Sequence, residues 1–291
     1  MGTTFHTLDV FTDTPFGGNP LAVVPDAREL PTGQMQRIAA EFNLSETVFV
    51  LPPESPRALR RLRIFTPAAE LPFAGHPTVG TAMLLADLGV ADDDAFVLDE
   101  GVGPVAVTVT RRDGRPAGAS LRATVLPRVS GSAPPPDVVA AVLSLPPEAM
   151  LTQPGPQIIY GGGPTFLIAP VRDADAVARV RLDPGRWDAL AGTDAQHVYV
   201  VAVDGGDVRA RMFAPALGVA EDPATGAAAV ALAGFLSPTM ADGSHEWVIV
   251  QGVEMGRPSR LELRATVRDG VAERVDLAGT AVRVADGTLR V

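Results

Sequence analysis

"RIFTPAAELPFAGHPTVGTAMLLADLG" at residues 63–89 returns, altered but in the same order, as "RMFAPALGVAEDPATGAAAVALAGFL" at residues 211–236. A phrase written twice in one chain points to a duplicated structural unit. Further echoes support it: "GGNPLAVV" (17–24) is answered by "GGGPTFLI" (161–168), and "SETVFVL" (45–51) by "AQHVYVV" (195–201). The order is kept in both halves, and the repeat spacing is that of one ordinary domain. A tandem pair is therefore expected, 1–127 and 128–291, with the last strand free to return to the first half. The seam falls in "LPRVSGSAPPPD" (126–137), where Pro, Gly and Ser cluster and hydrophobic periodicity lapses.

Each half carries the same coarse pattern. Residues 32–43 set Met35, Ile38, Ala39 and Phe42 on one helical face, and "TVFVL" then runs apolar like a strand. A short strand at 62–65 and a Pro-rich turn follow. An almost wholly apolar helix from about Pro77 to Leu88 comes next, and must be buried. "ATGAAAVALAGFL" is its counterpart, with small residues that suit close packing inside a curved sheet. The expected fold class is α+β: two pseudo-symmetric domains, each a curved, mostly antiparallel sheet wrapped around a central apolar helix.

Composition narrows the chemistry. The 291 residues contain no Cys and no Lys, all 24 basic residues being Arg. Thiolate nucleophiles, disulfides, Schiff bases and P-loop lysines are thereby excluded. A formal net charge of -10 repels phosphate backbones and anionic membranes, so neither nucleic acid nor membrane is an expected partner. The N-terminal "MGTTFHTLDVF" does not read as a leader or acylation signal, and the cytoplasm is the expected location. "GVGPVA" (101–106) fits a dinucleotide-binding pattern in spelling, but "VAVTVT" after it reads as a strand where that motif needs a helix. The histidines show no ligand spacing, so no metal site is expected.

The loops "AGHPT" (74–78) and "DPATGA" (222–227) enter the two apolar helices, whose N-termini are natural sites for anions. Read alone, their glycines merely permit tight turns. Polar residues that differ between the halves carry more information, because a shared structural role would preserve residue type. Glu46 is set against Gln196, His76 against Gly226, and Asp222 against Pro72. Glu46 opens an apolar strand, so its carboxyl can be semi-buried and both take and return a proton; its plainer reading is a solvated glutamate. His76 can donate a hydrogen bond or relay a proton, with Asp222 setting its tautomer, or be a simple turn residue.

Taken together, "GGNPLAVV", "NLSETVFV", "RIFTPAAELPFAGHPTVGTA", "RMFAPALGVAEDPATGAAA" and "QGVEMGRPS" resemble the PhzF-like family over nearly the whole chain. The resemblance implies a fold shared with diaminopimelate epimerase, whose two catalytic cysteines are matched here by Ala74 and Ala224. It implies a cofactor-free homodimeric isomerase acting on a small carboxylate such as trans-2,3-dihydro-3-hydroxyanthranilate, in phenazine-like or other antibiotic biosynthesis. Glu46 matches the family's proton-moving glutamate, His76 its "GHP" histidine, and Asp222 its "ED-x-ATG" aspartate. Asn19, Gly75, Thr225, Gly226 and Ala227 match substrate-binding positions, Ala227 standing where the phenazine enzymes carry a serine. That departure leaves two alternatives open: an isomerase of an unsaturated amino acid or cyclic imine, and a binding protein without turnover.

Overall fold

The computed structural model describes residues 2–161, 163–190, 193, 197–215 and 219–290. The chain divides into unit 1, Met1–Thr124 with Leu277–Val291, and unit 2, Val125–Asp276. Unit 1 runs β1 (Gly2–Val10), β2 (Asn19–Val24), α1 (Thr32–Phe42), β3 (Glu46–Leu51), β4 (Arg60–Phe65), β5 (Glu70–Leu71), α2 (Gly75–Asp87), β6 (Ala95–Glu100), β7 (Gly103–Arg112) and β8 (Arg115–Arg122). Unit 2 runs β9 (Arg128–Gly131), α3 (Pro136–Val142), β10 (Gln157–Tyr160), β11 (Thr165–Pro170), α4 (Ala174–Arg179), β12 (His197–Asp204), β13 (Asp207–Ala214), β14 (Val219–Asp222), α5 (Gly226–Leu236), β15 (Gly243–Gln251) and β16 (Ser259–Arg268). The strand β17 (Val271–Gly279) leads out of unit 2, and β18 (Ala281–Arg290) pairs antiparallel with β1 in unit 1. The Pro-rich seam thus holds an exposed strand, β9, which pairs with β10.

Pairing repeats between the units. β2 runs parallel to β3 across α1, as β11 does to β12 across α4. β4 runs parallel to β6 across α2, as β13 does to β15 across α5. The pairs β1–β2, β3–β4, β6–β7, β7–β8, β10–β11 and β12–β13 are antiparallel, so each unit has two short parallel crossovers in a mostly antiparallel sheet. "VAVTVT" lies within β7, where Val105, Val107 and Val109 are buried and their neighbours exposed. That alternation is a strand with one face on a core.

In unit 1, α2 packs against β1, β2, β3, β7, β8 and β18, and Gly75–Ala86 are all buried, which explains its apolar sequence. The helix begins at Gly75, two residues before the sequence-based start. Pro77 sits at its third position, where a backbone N–H has no intrahelical acceptor to lose. The other face of the sheet is covered by α1, whose Met35, Ile38 and Ala39 pack with Phe49 and Phe65. Asn43 ends α1 at φ 50°, a left-handed conformation that Asn tolerates. In unit 2, α5 lies against β9, β10, β11 and β16. A Cβ at Gly234 would come within 2.7 Å of Pro127 Cβ, so the small residue sets how closely helix and sheet approach. Among the described residues no helix is long and apolar enough to cross a membrane.

Candidate active site

The ladder registers correct the repeat by one residue. Val48, Ile64 and Leu71 stand side by side across β3, β4 and β5; Tyr199, Met212 and Asp222 stand side by side across β12, β13 and β14. Asp222 therefore matches Leu71 rather than Pro72, and Glu46 matches His197; Gln196 lies outside the described residues. The helix starts agree: Gly75 matches Gly226, His76 matches Ala227, and Ala74 matches Thr225 rather than Ala224. Hairpin length accounts for the Glu46 offset, since β3 and β4 are joined by Pro52–Leu59 and β12 and β13 by two glycines, Gly205 and Gly206, while the Asp222 offset goes with a register shift between Met212 and Ala214 in the β13–β14 ladder.

In unit 1 the N-terminal ends of β2 and β3 and the first turn of α2 bring polar groups together. Asn19 opens β2 and is fully buried; Glu46 opens β3; Gly75 and His76 are the first two residues of α2. Glu46 Oε2 lies 3.4 Å from His76 Nε2. The His76 ring hydrogen-bonds the backbone of Pro20, which offers only a carbonyl, and Nε2 makes no hydrogen bond, so Nδ1–H is the donor. Burial drives the ring's pKa down to about 3 against the small opposing effect of that bond, and the imidazole is neutral at pH 7. Its Nε2 lone pair thus faces the Glu46 carboxyl. Pro20, which sequence reasoning missed because it acts through its backbone, sets the tautomer expected of Asp222.

In unit 2, Asp222 ends β14 and is buried. Thr225, the residue before α5, donates its hydroxyl to Asp222 Oδ2 at 2.5 Å. Gln251, at the end of β15, donates Nε2 to the Asp222 carbonyl at 2.8 Å and to Thr225 Oγ1 at 3.0 Å, and its Oε1 accepts from the Thr225 N–H at 3.4 Å. Thr225 therefore works inward, fixing Asp222, while Gly226 and Ala227 form the start of α5. Tyr199 is fully buried, with a hydroxyl that makes no hydrogen bond; burial, and secondarily the Asp222 charge, push its pKa up. Neither Gln251 nor Tyr199 was singled out from sequence. The visible signals were a polar residue closing the apolar run "WVIVQ" and a phenol inside "VYVV". Among the described residues, no group of three or more His, Asp or Glu side chains is placed to hold a metal ion.

A family model described as phenazine biosynthesis-like protein matches residues 8–287. An uncharacterized isomerase of Mesorhizobium japonicum is 43% identical over 97% of this chain and 96% of its own length. The trans-2,3-dihydro-3-hydroxyanthranilate isomerase of Pseudomonas aeruginosa is 36% identical over 97% of this chain and 98% of its own. Among solved structures, the PhzF-family phenazine biosynthesis protein of Bacillus anthracis has a TM-score of 0.87 at 26% identity, covering 100% of both chains. A hydroxyproline epimerase from Agrobacterium vitis shares the fold alone, with a TM-score of 0.65 at 14% identity over 99% of this chain and 92% of its own. The α+β fold read from the sequence is the fold of these neighbours. With the family match spanning both copies of the internal repeat, the chain belongs to the phenazine biosynthesis-like, or PhzF, family of isomerases.

Proposed function

We propose that this isomerase moves a single proton on a small cyclic carboxylate of the trans-2,3-dihydro-3-hydroxyanthranilate type, with Glu46 as both base and acid. The contact between Glu46 and the neutral His76 carries the reading. As a carboxylate, Glu46 takes the proton from C3 of the ring. Its new O–H then has the Nε2 lone pair 3.4 Å away as an acceptor, which holds the proton between the two transfers and away from water. Delivery to C1 shifts the double bond and leaves an enol, which becomes the ketone. No cofactor enters this balance, since the proton that leaves one carbon reaches another. The N–H groups at the start of α2 suit the substrate carboxylate, and Asp222, held by Thr225 and Gln251, is assigned substrate orientation.

Ala227 favours a second reading, in which the same chemistry serves a different substrate. A methyl group where the phenazine enzymes have a hydroxyl leaves one substrate polar group without a partner, at about 1–3 kcal/mol. The test is NMR of purified protein with trans-2,3-dihydro-3-hydroxyanthranilate in deuterated water, beside Glu46→Gln. Deuterated, isomerised product from wild type and a loss of about 100-fold or more in the variant is the expected result. Full activity in Glu46→Gln overturns the assignment, and turnover confined to an unsaturated amino acid or cyclic imine selects the second reading.

A further inference from the structure

Glu100, the last residue of β6, is a buried carboxyl that the proposed chemistry leaves unused. Its Oε1 lies 2.7 Å from the hydroxyl of Thr78, in the first turn of α2, and its Oε2 makes no hydrogen bond. The same hydroxyl lies 2.8 Å from the carbonyl oxygen of Ala74. A hydroxyl has one proton and cannot donate to both oxygens. If it serves Ala74, the 2.7 Å contact is a hydrogen bond only when Glu100 carries the proton and donates. If it serves Glu100, two oxygen lone pairs oppose each other at 2.8 Å.

The repeat resolves which arrangement holds. Gln251 ends β15 as Glu100 ends β6, and each is followed by a glycine pressed against the loop that enters the central helix. A Cβ at Gly101 would lie 2.7 Å from Pro72 Cα, and one at Gly252 would lie 2.7 Å from the Pro223 oxygen. The Val102 N–H also donates to the Pro72 carbonyl, at 3.1 Å. In unit 2 the clamp is a neutral amide that donates to the entry of α5. A protonated carboxyl is likewise neutral and, although it has one donor where the amide uses two, can donate to the first turn of α2 in unit 1. Among the described residues no cation offsets a charge at Glu100, and Arg60 on the neighbouring β4 turns its guanidinium to the Leu59 carbonyl. On the elements around it, Arg63 is taken by Glu70, Arg61 by Glu54, and Arg111 by Asp94. Asp99 accepts from the Glu54 and Ser55 N–H groups, and His76 is neutral.

We propose that Glu100 is a positioning residue of the candidate active site: a neutral carboxylic acid that donates to Thr78 and holds the first turn of α2, with Gly75 and His76, in place. The proposal rests on the reading of His76 as part of that site. Burial pushes the Glu100 pKa up to about 8, against the lowering effect of the Thr78 bond. Because the folded pKa lies above the ordinary carboxyl value, the stability it confers is full in acid and is lost as pH rises towards 8.

The test compares wild type with Glu100→Gln, which copies Gln251, at pH 5 to 9. The melting temperature of wild type should fall relative to the variant by about 5–10 °C between pH 5 and pH 9. At pH 9, hydrogen exchange of a peptide covering residues 74–80 should be at least about tenfold faster in wild type than in the variant, within the roughly three decades of linkage between an ordinary carboxyl pKa and a folded value of about 8. A melting difference independent of pH overturns the neutral acid, and equal exchange at pH 9 overturns the positioning role. Neither readout uses turnover, so a chain inert towards the substrate sinks the proposed reaction and leaves the clamp to be judged on these two results.

Discussion

The repeat provides two copies of one ion pair at different depths. In unit 2, Arg211 Nε and Nη2 donate to both oxygens of Glu221 at 2.8 Å, and Nη1 donates to the carbonyls of Val180 at 2.9 Å and Val177 at 3.3 Å, while the guanidinium lies over the Phe213 ring. In unit 1, Arg63 grips Glu70 with the same fork at 2.7 and 2.6 Å, donates to Thr32 Oγ1, and lies over Phe65. The difference is water: Glu70 keeps 39% of its side chain exposed and Glu221 only 15%. Arg211→Met strands a largely buried carboxylate, at about 3–5 kcal/mol, while the Val180 and Val177 carbonyls keep the Arg181 side chain and the Val180 N–H as donors; Arg63→Met leaves a carboxylate that water can reach, at about 1 kcal/mol. Replacing both members of the buried pair, Arg211→Met with Glu221→Leu, should recover most of the loss. Urea unfolding followed by far-UV circular dichroism of the four proteins measures this. Equal costs for the two arginine variants, or a double variant as unstable as Arg211→Met, would refute the argument from burial. Activity should follow stability in unit 2, because Glu221 directly precedes Asp222.

Two further outcomes are expected. Tyr199→Phe removes a buried hydroxyl without a hydrogen bond and should stabilise the protein by about 1–2 kcal/mol, so a lowered urea midpoint would show that the hydroxyl has a use in the ligand-free chain. The His76 ring, held down to about 3 by burial, should show flat NMR shifts from pH 8 to 5, and an inflection in that range would refute a neutral ring. Its folded pKa is below the unfolded value, so its contribution to stability is full above about pH 6.5 and declines as pH falls. Wild type should therefore lose more stability than His76→Gln between pH 7 and 5.

Much of the fold was legible because apolar runs and turn residues wrote each unit twice. The central helices could be read from "PTVGTAMLLADL" and "ATGAAAVALAGFL", and the strand after "GVGPVA" from its alternation. Register was not legible. A ladder is fixed by the hairpin that closes it and by any bulge within it: the β3–β4 and β12–β13 hairpins differ in length, and the β13–β14 ladder shifts register after Met212, so His197 and Leu71, rather than Gln196 and Pro72, became the true counterparts. Glu46, His76 and Asp222 stood out because they break the repeat. The Pro20 carbonyl stayed hidden because a backbone group has no signature in sequence, and Glu100 because a glutamate at a strand end reads as solvated until its burial is seen.

With the register corrected, symmetry separates scaffold from chemistry. What the units share is mechanical: the Arg–Glu fork on the strand before each central helix, and the Glu100 or Gln251 clamp on its entry. What they do not share is where protons can move. The second residue of α2 is His76, with a lone pair beside Glu46, and the second residue of α5 is Ala227, with no titratable group. Asp222, the carboxylate of unit 2 at that level, has one oxygen taken at 2.5 Å by Thr225 and its backbone tied by Gln251. A racemase that inverts a centre needs an acid and a base of similar freedom. This chain has one carboxyl with a proton acceptor at its side and another fixed by its own loop, an inequality that favours one carboxyl carrying one proton between two carbons.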